Sequence, residues 1–249
     1  MKELDGTEDY QSVEKVRSVG HGIRSSSPGS WKFQGTSSVF DDHVVRSIPG
    51  YSSAHYLVAG ISDNFLSDGD VHLDAGCSTG ALLRSVANRH QGKQVSFVGV
   101  DIEPEMVAFA QANTDDERIQ FEVADLLYVD YRATLISSVF TLQFVRPQAR
   151  QELVNKWWNQ LQWGGALCLV EKVRGSDARF QDILTGLYWD WKSEQGFSDE
   201  EIIGKWRSLR RAMEPFSPAG NEELLRRSGF TDIETFWKWG PFQAWLAIK

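Results

Sequence analysis

Three acidic residues lie along the first half of the chain at spacings that bring them to one edge of a sheet. Asp74 follows the apolar run 71–73 and opens a glycine-rich turn, Asp101 closes the run 95–100, and Asp125 closes the segment 121–124. A carboxylate at a strand end accepts hydrogen bonds, so Asp101 can take both hydroxyls of a ribose. Asp125, followed by Leu126 and Leu127, can take an exocyclic amine while leucine covers the flat face of the base. Gly76 and Gly80 in the turn let the backbone approach a ligand where a side chain would collide. The free amides that start the next helix can face an anionic or carboxylate-bearing group.

Asp101 alone suits a dinucleotide as well as an S-adenosyl ligand. The third acid decides between them, because acids ending three successive strands in this order favour S-adenosylmethionine over NAD. Holding them requires strand, turn and helix in repeated order. Ala81, Leu82, Leu83, Val86 and Ala87 follow the turn at helical spacing. Residues 135–140 read as a fourth strand whose end, Thr141 to Phe144, lies where donor and acceptor meet at the carboxyl edge. A helix over 148–161, a break at Trp163, Gly164 and Gly165, and a buried strand over 166–170 ending in Glu171 and Lys172 come next. The pattern over 177–213 is helical and rich in large aromatics. A last helix over 222–228 and a hairpin from Phe236 and Trp237 to 242–248 close the chain. This order predicts a Rossmann-like α/β fold with a seven-stranded, mostly parallel, doubly wound sheet.

Residues 1–30, polar and broken by serine, proline and glycine, are expected to form a flexible leader. Residues 31–249 are expected to form one domain with a helical insertion at about 176–216. No run approaches the length of a membrane span and the N-terminus does not resemble a signal peptide, so a cytoplasmic protein is expected. The formal charge of −8 argues against a nucleic-acid surface and for a small acceptor. Cys77 and Cys168 offer no metal spacing.

Several of these stretches carry a family resemblance that runs from Trp31 to Lys249. They are Arg46 to Ser52, Asp74 to Gly80, Phe140 to Phe144, Gly164 to Leu167 with Glu171 and Lys172, and Gly196 to Ile202. The chain resembles the carboxy-S-adenosylmethionine synthases, class I methyltransferase-fold proteins that act in wobble-uridine modification of tRNA, and their methyltransferase relatives. The resemblance implies that Tyr51, Gly76, Cys77, Ser78, Asp101, Ile102, Asp125 and Leu126 contact the S-adenosyl ligand. Asp74, Gly80 and Phe140 complete the expected set. It also implies a homodimer whose inserted helices reach into the partner's site.

Two positions depart from the family pattern. Val139 replaces an asparagine, and Trp206, after Lys205, aligns without gaps to the arginine that pairs with the carboxylate of the carboxymethyl sulfonium. An indole cannot hold a carboxylate bidentately as a guanidinium does. The reading that follows is a methyltransferase passing the sulfonium methyl by in-line displacement to a small, planar or aromatic acceptor. Tyr188, Trp189, Trp191 and Trp206 would wall the acceptor, with Arg207 nearby; His43, His55 and Glu171 are candidate bases. The alternatives are the synthase reaction itself, from S-adenosylmethionine and prephenate with Arg207 replacing the missing guanidinium, and a non-catalytic protein that binds S-adenosylmethionine or S-adenosylhomocysteine.

Overall fold

The computed structural model describes residues 17–18, 24–25 and 35–249. Trp31, Phe33 and most of the expected leader lie outside the described residues. Within the leader, β1 (Arg17–Ser18) and β2 (Arg24–Ser25) pair antiparallel. Among the described residues the main sheet has seven strands: β3 (Val71–Ala75), β4 (Ser96–Asp101), β5 (Ile119–Val123), β6 (Ala133–Val139), β7 (Leu161–Lys172), β8 (Asp232–Trp239) and β9 (Phe242–Ile248). Their spatial order is β5-β4-β3-β6-β7-β9-β8. All neighbours from β5 to β7 run parallel, and β9 enters antiparallel between β7 and β8. The chain order reverses on either side of β3, which leaves a crevice at the carboxyl ends of the parallel strands, where such sheets bind ligands.

The period of two along the strands sets the two cores. On β7, Leu167 and Leu169 point to the layer of α5 (Pro147–Gln160) and α8 (Pro218–Ser228), where Leu153, Trp157, Leu224 and Leu225 are buried. Ala166, Cys168 and Val170 point to the opposite layer of α2 (Tyr51–Ile61) and α3 (Ala81–Arg89), against Val58, Leu83 and Val86. A strand buried on both faces reads as a continuous apolar run, which is why residues 166–170 were legible as a strand.

Trp163, Gly164 and Gly165 do not break the chain as expected. β7 starts earlier, at Leu161, and crosses them with a shift of register against β6 between Ala133 and Leu135. Gly165 permits the crossing, since a Cβ there would stand 2.6 Å from the Thr134 carbonyl oxygen.

The crevice is roofed by α1 (Ser37–Ser47), α4 (Pro104–Ala112), α6 (Ala178–Glu194) and α7 (Asp199–Ser208). α7 is started firmly: Ser198 and Glu201 form a reciprocal capping box. The β1–β2 pair lies against α7. No helix among the described residues is long and apolar enough to cross a membrane.

Candidate active site

The turn after β3 is built around Gly76. Its φ of 86° and the 2.2 Å that would separate a Cβ from Thr141 Oγ1 leave no room for any other residue. Gly76 and Cys77 both donate their amides to the Val100 carbonyl, at 2.8 and 3.0 Å, which draws the turn over the end of β4. Ser78 then donates its amide to Asp101 Oδ2 at 2.8 Å, and Glu103 donates to Asp101 Oδ1 at 2.9 Å. The carboxylate is thereby fixed in plane, with its remaining lone pairs open to hydroxyl donors. Asp125 is held in a similar way, Oδ1 accepting from the Leu127 amide at 2.9 Å.

These elements enclose a cavity of about 830 Å³, within the usual range of ligand pockets. Asp74, Gly76, Cys77, Ser78, Asp101, Ile102, Asp125, Leu126, Tyr51 and Phe140 all line it. Gly80 does not; it caps α3 in the left-handed region, and a Cβ there would meet the Phe121 ring at 2.6 Å. Asp74 sits at the end of a buried chain of donors: His72 Nε2 lies 2.9 Å from Ser137 Oγ, and Ser137 donates to Asp74 Oδ1 at 2.6 Å. Burial pushes the Asp74 carboxyl up to about 7; the Ser137 donation opposes that rise and Asp101 adds to it. Burial likewise raises Asp101. Both groups are thus sensitive to a cationic or hydrogen-bonding ligand.

The aromatic wall exists, but its members differ from those expected. Tyr51, Phe140, Tyr188 and Phe242 line the cavity in successive ring contacts: Tyr51–Phe140 at 6.0 Å, Phe140–Phe242 at 5.9 Å and Phe242–Tyr188 at 5.3 Å. Trp189, Trp191, Trp206 and Arg207 lie outside it. Trp206 is 48% exposed and stacks on the Arg210 guanidinium, 4.0 Å from its ring centre. One residue along a helix turns a side chain by about 100°, and here it is Lys205 that faces inward. Lys205 donates to Ser47 Oγ at 2.8 Å, and its Nζ lies within hydrogen-bond distance of His43 Nε2.

Of the three candidate bases, His43 and His55 line the cavity and Glu171 does not. Burial holds His55 neutral by lowering it to about 4. Glu171 faces the other way: its two oxygens accept the amides of Leu142 and Gln143, at 2.9 and 2.8 Å. It therefore staples the short 3₁₀ turn Leu142–Phe144 that follows β6. Arg150 completes the clamp by donating to the Gln143 and Val145 carbonyls. Sequence reasoning placed Thr141 at the meeting point of donor and acceptor, and it lines the cavity; it missed Lys172 and Lys205 as cavity residues and the His72–Ser137 pair. Lys172 had a legible signal, since it ends a parallel strand at the ligand-binding edge.

Three acids meeting a glycine turn that only a glycine can make fit an S-adenosyl nucleoside. Residues 73–165 match the family described as a methyltransferase domain. The fold is shared with human N-acetylserotonin methyltransferase in complex with SAM (TM-score 0.58, 16% identity, covering 88% of this chain and 60% of that one). It is also shared with the S-adenosylmethionine-dependent methyltransferase SibL (TM-score 0.59, 16% identity, covering 87% and 59%). Fold and site together define a class I methyltransferase-type domain that uses S-adenosylmethionine. More specific are the curated relatives. The chain is 34% identical over 227 residues to the carboxy-S-adenosyl-L-methionine synthase of Staphylococcus epidermidis, covering 89% of this chain and 98% of that protein. It is 35% identical over 214 residues to that of Sulfurimonas denitrificans, covering 85% and 91%. The chain belongs to the carboxy-S-adenosyl-L-methionine synthase family.

Proposed function

We propose that this protein carboxylates S-adenosylmethionine rather than passing its methyl group to an acceptor. The observation that carries this reading is the placement of Trp206. An indole in the wall was the reason to expect a planar methyl acceptor, and Trp206 lies outside the cavity on the solvent side of α7. The substitution therefore does not remake the cavity, and the relatives' activity is the reading the remaining geometry supports.

Asp125 and Leu126 would hold the adenine, Asp101 the ribose hydroxyls, and Asp74 with the 76–78 turn the aminoacyl part. Once bound, S-adenosylmethionine would supply a sulfonium-activated methyl carbon: one of its hydrogens would leave as a proton and the carbon would take the carboxyl group released by prephenate, whose ring, losing that carboxyl and its ring hydroxyl, would aromatise to phenylpyruvate while proton and hydroxyl leave as water. Tyr51, Phe140, Tyr188 and Phe242 exclude water around that carbon and suit a ring-bearing acid such as prephenate, the carboxyl source the resemblance implies. His43 and His55 are the imidazoles close enough to the cavity to take up a proton. Most of the acceleration would come from holding two reactants together in a dry space.

The reading extends to assembly. Phe180, Ile183 and Leu187, at helical spacing on α6, are each about half exposed at 52%, 49% and 54%. Such a stripe suits a second copy of the chain, as the resemblance implies.

Incubation of the purified protein with S-adenosylmethionine and prephenate, followed by mass spectrometry of the nucleoside pool, tests the activity. A carboxylated sulfonium nucleoside is the expected product. S-adenosylhomocysteine formed with a methylated acceptor would replace this reading with methyl transfer.

A further inference from the structure

Two neighbouring strands put three polar side chains in a row beneath the glycine turn. β3 and β6 run parallel, with Asp74 opposite Ser137 and His72 opposite Leu135. The period of two along β3 turns His72 and Asp74 to one face, the side of the sheet covered by α2 and α3. His72 and Ser137 are fully buried and Asp74 is 3% exposed. The His72 ring packs edge-to-face on Phe97, part of the same apolar layer as Leu83 and Val86. Its Nδ1 has no hydrogen-bond partner among the described residues. A buried polar atom without a partner costs free energy, and an apolar side chain at position 72 would carry no such cost. What the imidazole has in return is one contact, Nε2 to Ser137 Oγ at 2.9 Å.

Counting protons fixes the direction of the chain. A serine hydroxyl has one hydrogen, and Ser137 gives it to Asp74 Oδ1 at 2.6 Å. Ser137 Oγ can then only accept from His72, so the imidazole hydrogen sits on Nε2 and Nδ1 is a bare acceptor. The reverse order needs a protonated Asp74 donating to Ser137, Ser137 donating to Nε2, and a buried Nδ1–H with nothing to receive it. Orphaned N–H groups are the rarer kind. The chain of donors therefore favours an ionised Asp74 where burial opposes it. Facing Asp74 are Asp101 from β4, Cys77 from the turn and Tyr51 from α2, none of which brings a positive charge. Burial holds His72 neutral by lowering it to about 3, and His90, after α3, adds to that. With Oδ1 committed to Ser137, Oδ2 takes no donor among the described residues, and Asp74 lines the cavity.

We infer that Ser137, oriented by His72, is a positioning residue that keeps Asp74 ionised and leaves its second oxygen for the ammonium group of the bound aminoacyl nucleoside. This rests on the aminoacyl part lying beside Asp74, as in the proposed function, and it holds whichever way the sulfonium is then used.

Carboxyl carbon-13 NMR of the unliganded full chain, with the Asp74 signal identified by its loss in Asp74→Asn, tests the relay. The wild-type signal should titrate with a midpoint near 7. Ser137→Ala should raise that midpoint by about one pH unit, because a hydrogen bond to a charged acceptor is among the strong ones. His72→Leu should move it the same way, and His72→Gln, which returns an N–H to the hydroxyl, should restore part of the loss. Calorimetry with S-adenosylhomocysteine should follow the titration: Ser137→Ala should bind about fivefold more weakly than wild type at pH 7 and within about twofold at pH 9, and Ser137→Thr should stay close to wild type at both. Equal weakening at every pH, with the Asp74 midpoint unmoved, would leave Ser137 a packing residue and overturn the inference. Should the substitutions fail to fold, nitrogen-15 NMR of wild-type His72 at pH 8 decides: a neutral ring with its hydrogen on Nε2 is expected, and a hydrogen on Nδ1 would overturn the inference. Formation of S-adenosylhomocysteine with a methylated acceptor would instead overturn the proposed function and leave this inference standing.

Discussion

Ser78 and Asp101 are joined across 2.8 Å, the amide of the glycine turn donating to the carboxylate at the end of β4. The bond makes one rigid unit of two segments 23 residues apart in sequence. It also orients the carboxylate toward the cavity. The Asp101→Ala variant should lose S-adenosylhomocysteine affinity by about 10- to 100-fold, since hydrogen bonds to a charged acceptor are among the strong ones. Isothermal calorimetry reads it directly; an unchanged affinity would remove Asp101 from the ribose site.

Gly76 should tolerate nothing else. Gly76→Ala combines a left-handed φ with a Cβ 2.2 Å from Thr141 Oγ1, and should destabilise the fold by about 2 kcal/mol or more while abolishing ligand binding. The clash has a named partner, so Gly76→Ala/Thr141→Ala should recover part of the lost stability in chemical denaturation. Strictly additive variants would show that the turn fails for another reason.

Asp74 gives a pH signature. Its carboxyl is raised from 3.8 to about 7 in the folded protein, first by burial, so the stability it contributes is fully present below pH 4 and is lost as pH rises through 7. Asp74→Asn should accordingly gain melting temperature relative to wild type as pH goes from 5 to 8, with no ligand present. Wild-type affinity for S-adenosylmethionine should move the other way, rising from pH 6 to pH 8 as the carboxylate forms to meet the ligand's cationic groups. Parallel pH profiles of the variant and wild type would contradict both statements.

Glu171 is a positioning residue. Glu171→Gln keeps one acceptor but sets an amide N–H against a backbone N–H, which should cost about 1–3 kcal/mol of stability and loosen the Leu142–Phe144 turn. Turnover should fall without any shift in the midpoint of its pH profile. A displaced acidic or basic limb would return Glu171 to the role of base.

The side of the cavity lined by Asp74, Asp101 and Asp125 was legible in the sequence and the opposite side was not, for a physical reason. Asp74, Asp101 and Asp125 each end an apolar run, and strand ends are positions that periodicity marks. Glu171 also ends a strand, yet its side chain turns onto the backbone amides of a neighbouring turn, a choice made by the register of β6 and β7 that no local pattern carries. Trp206 and Lys205 differ by one step of a helix, and the sequence leaves the rotation of α7 open because aromatic and aliphatic residues occur on both of its sides. The same holds for β7, where Trp163 to Gly165 read as a break and form a register shift instead.

The half-exposed stripe on α6 yields a prediction about assembly. The wild-type protein should sediment as a dimer at micromolar concentration, and Leu187→Glu should shift it toward monomer by placing a charge in an apolar contact. An unaltered sedimentation profile, monomeric or dimeric, would exclude α6 as the contact.

The fate of the donor's methyl carbon tests the central claim most directly. With S-adenosylmethionine carrying an isotopic label on that carbon, and prephenate present, the label should remain on the sulfonium and appear in a nucleoside heavier by one carboxyl group. Transfer of the label to another molecule, with S-adenosylhomocysteine accumulating in step, would contradict the account.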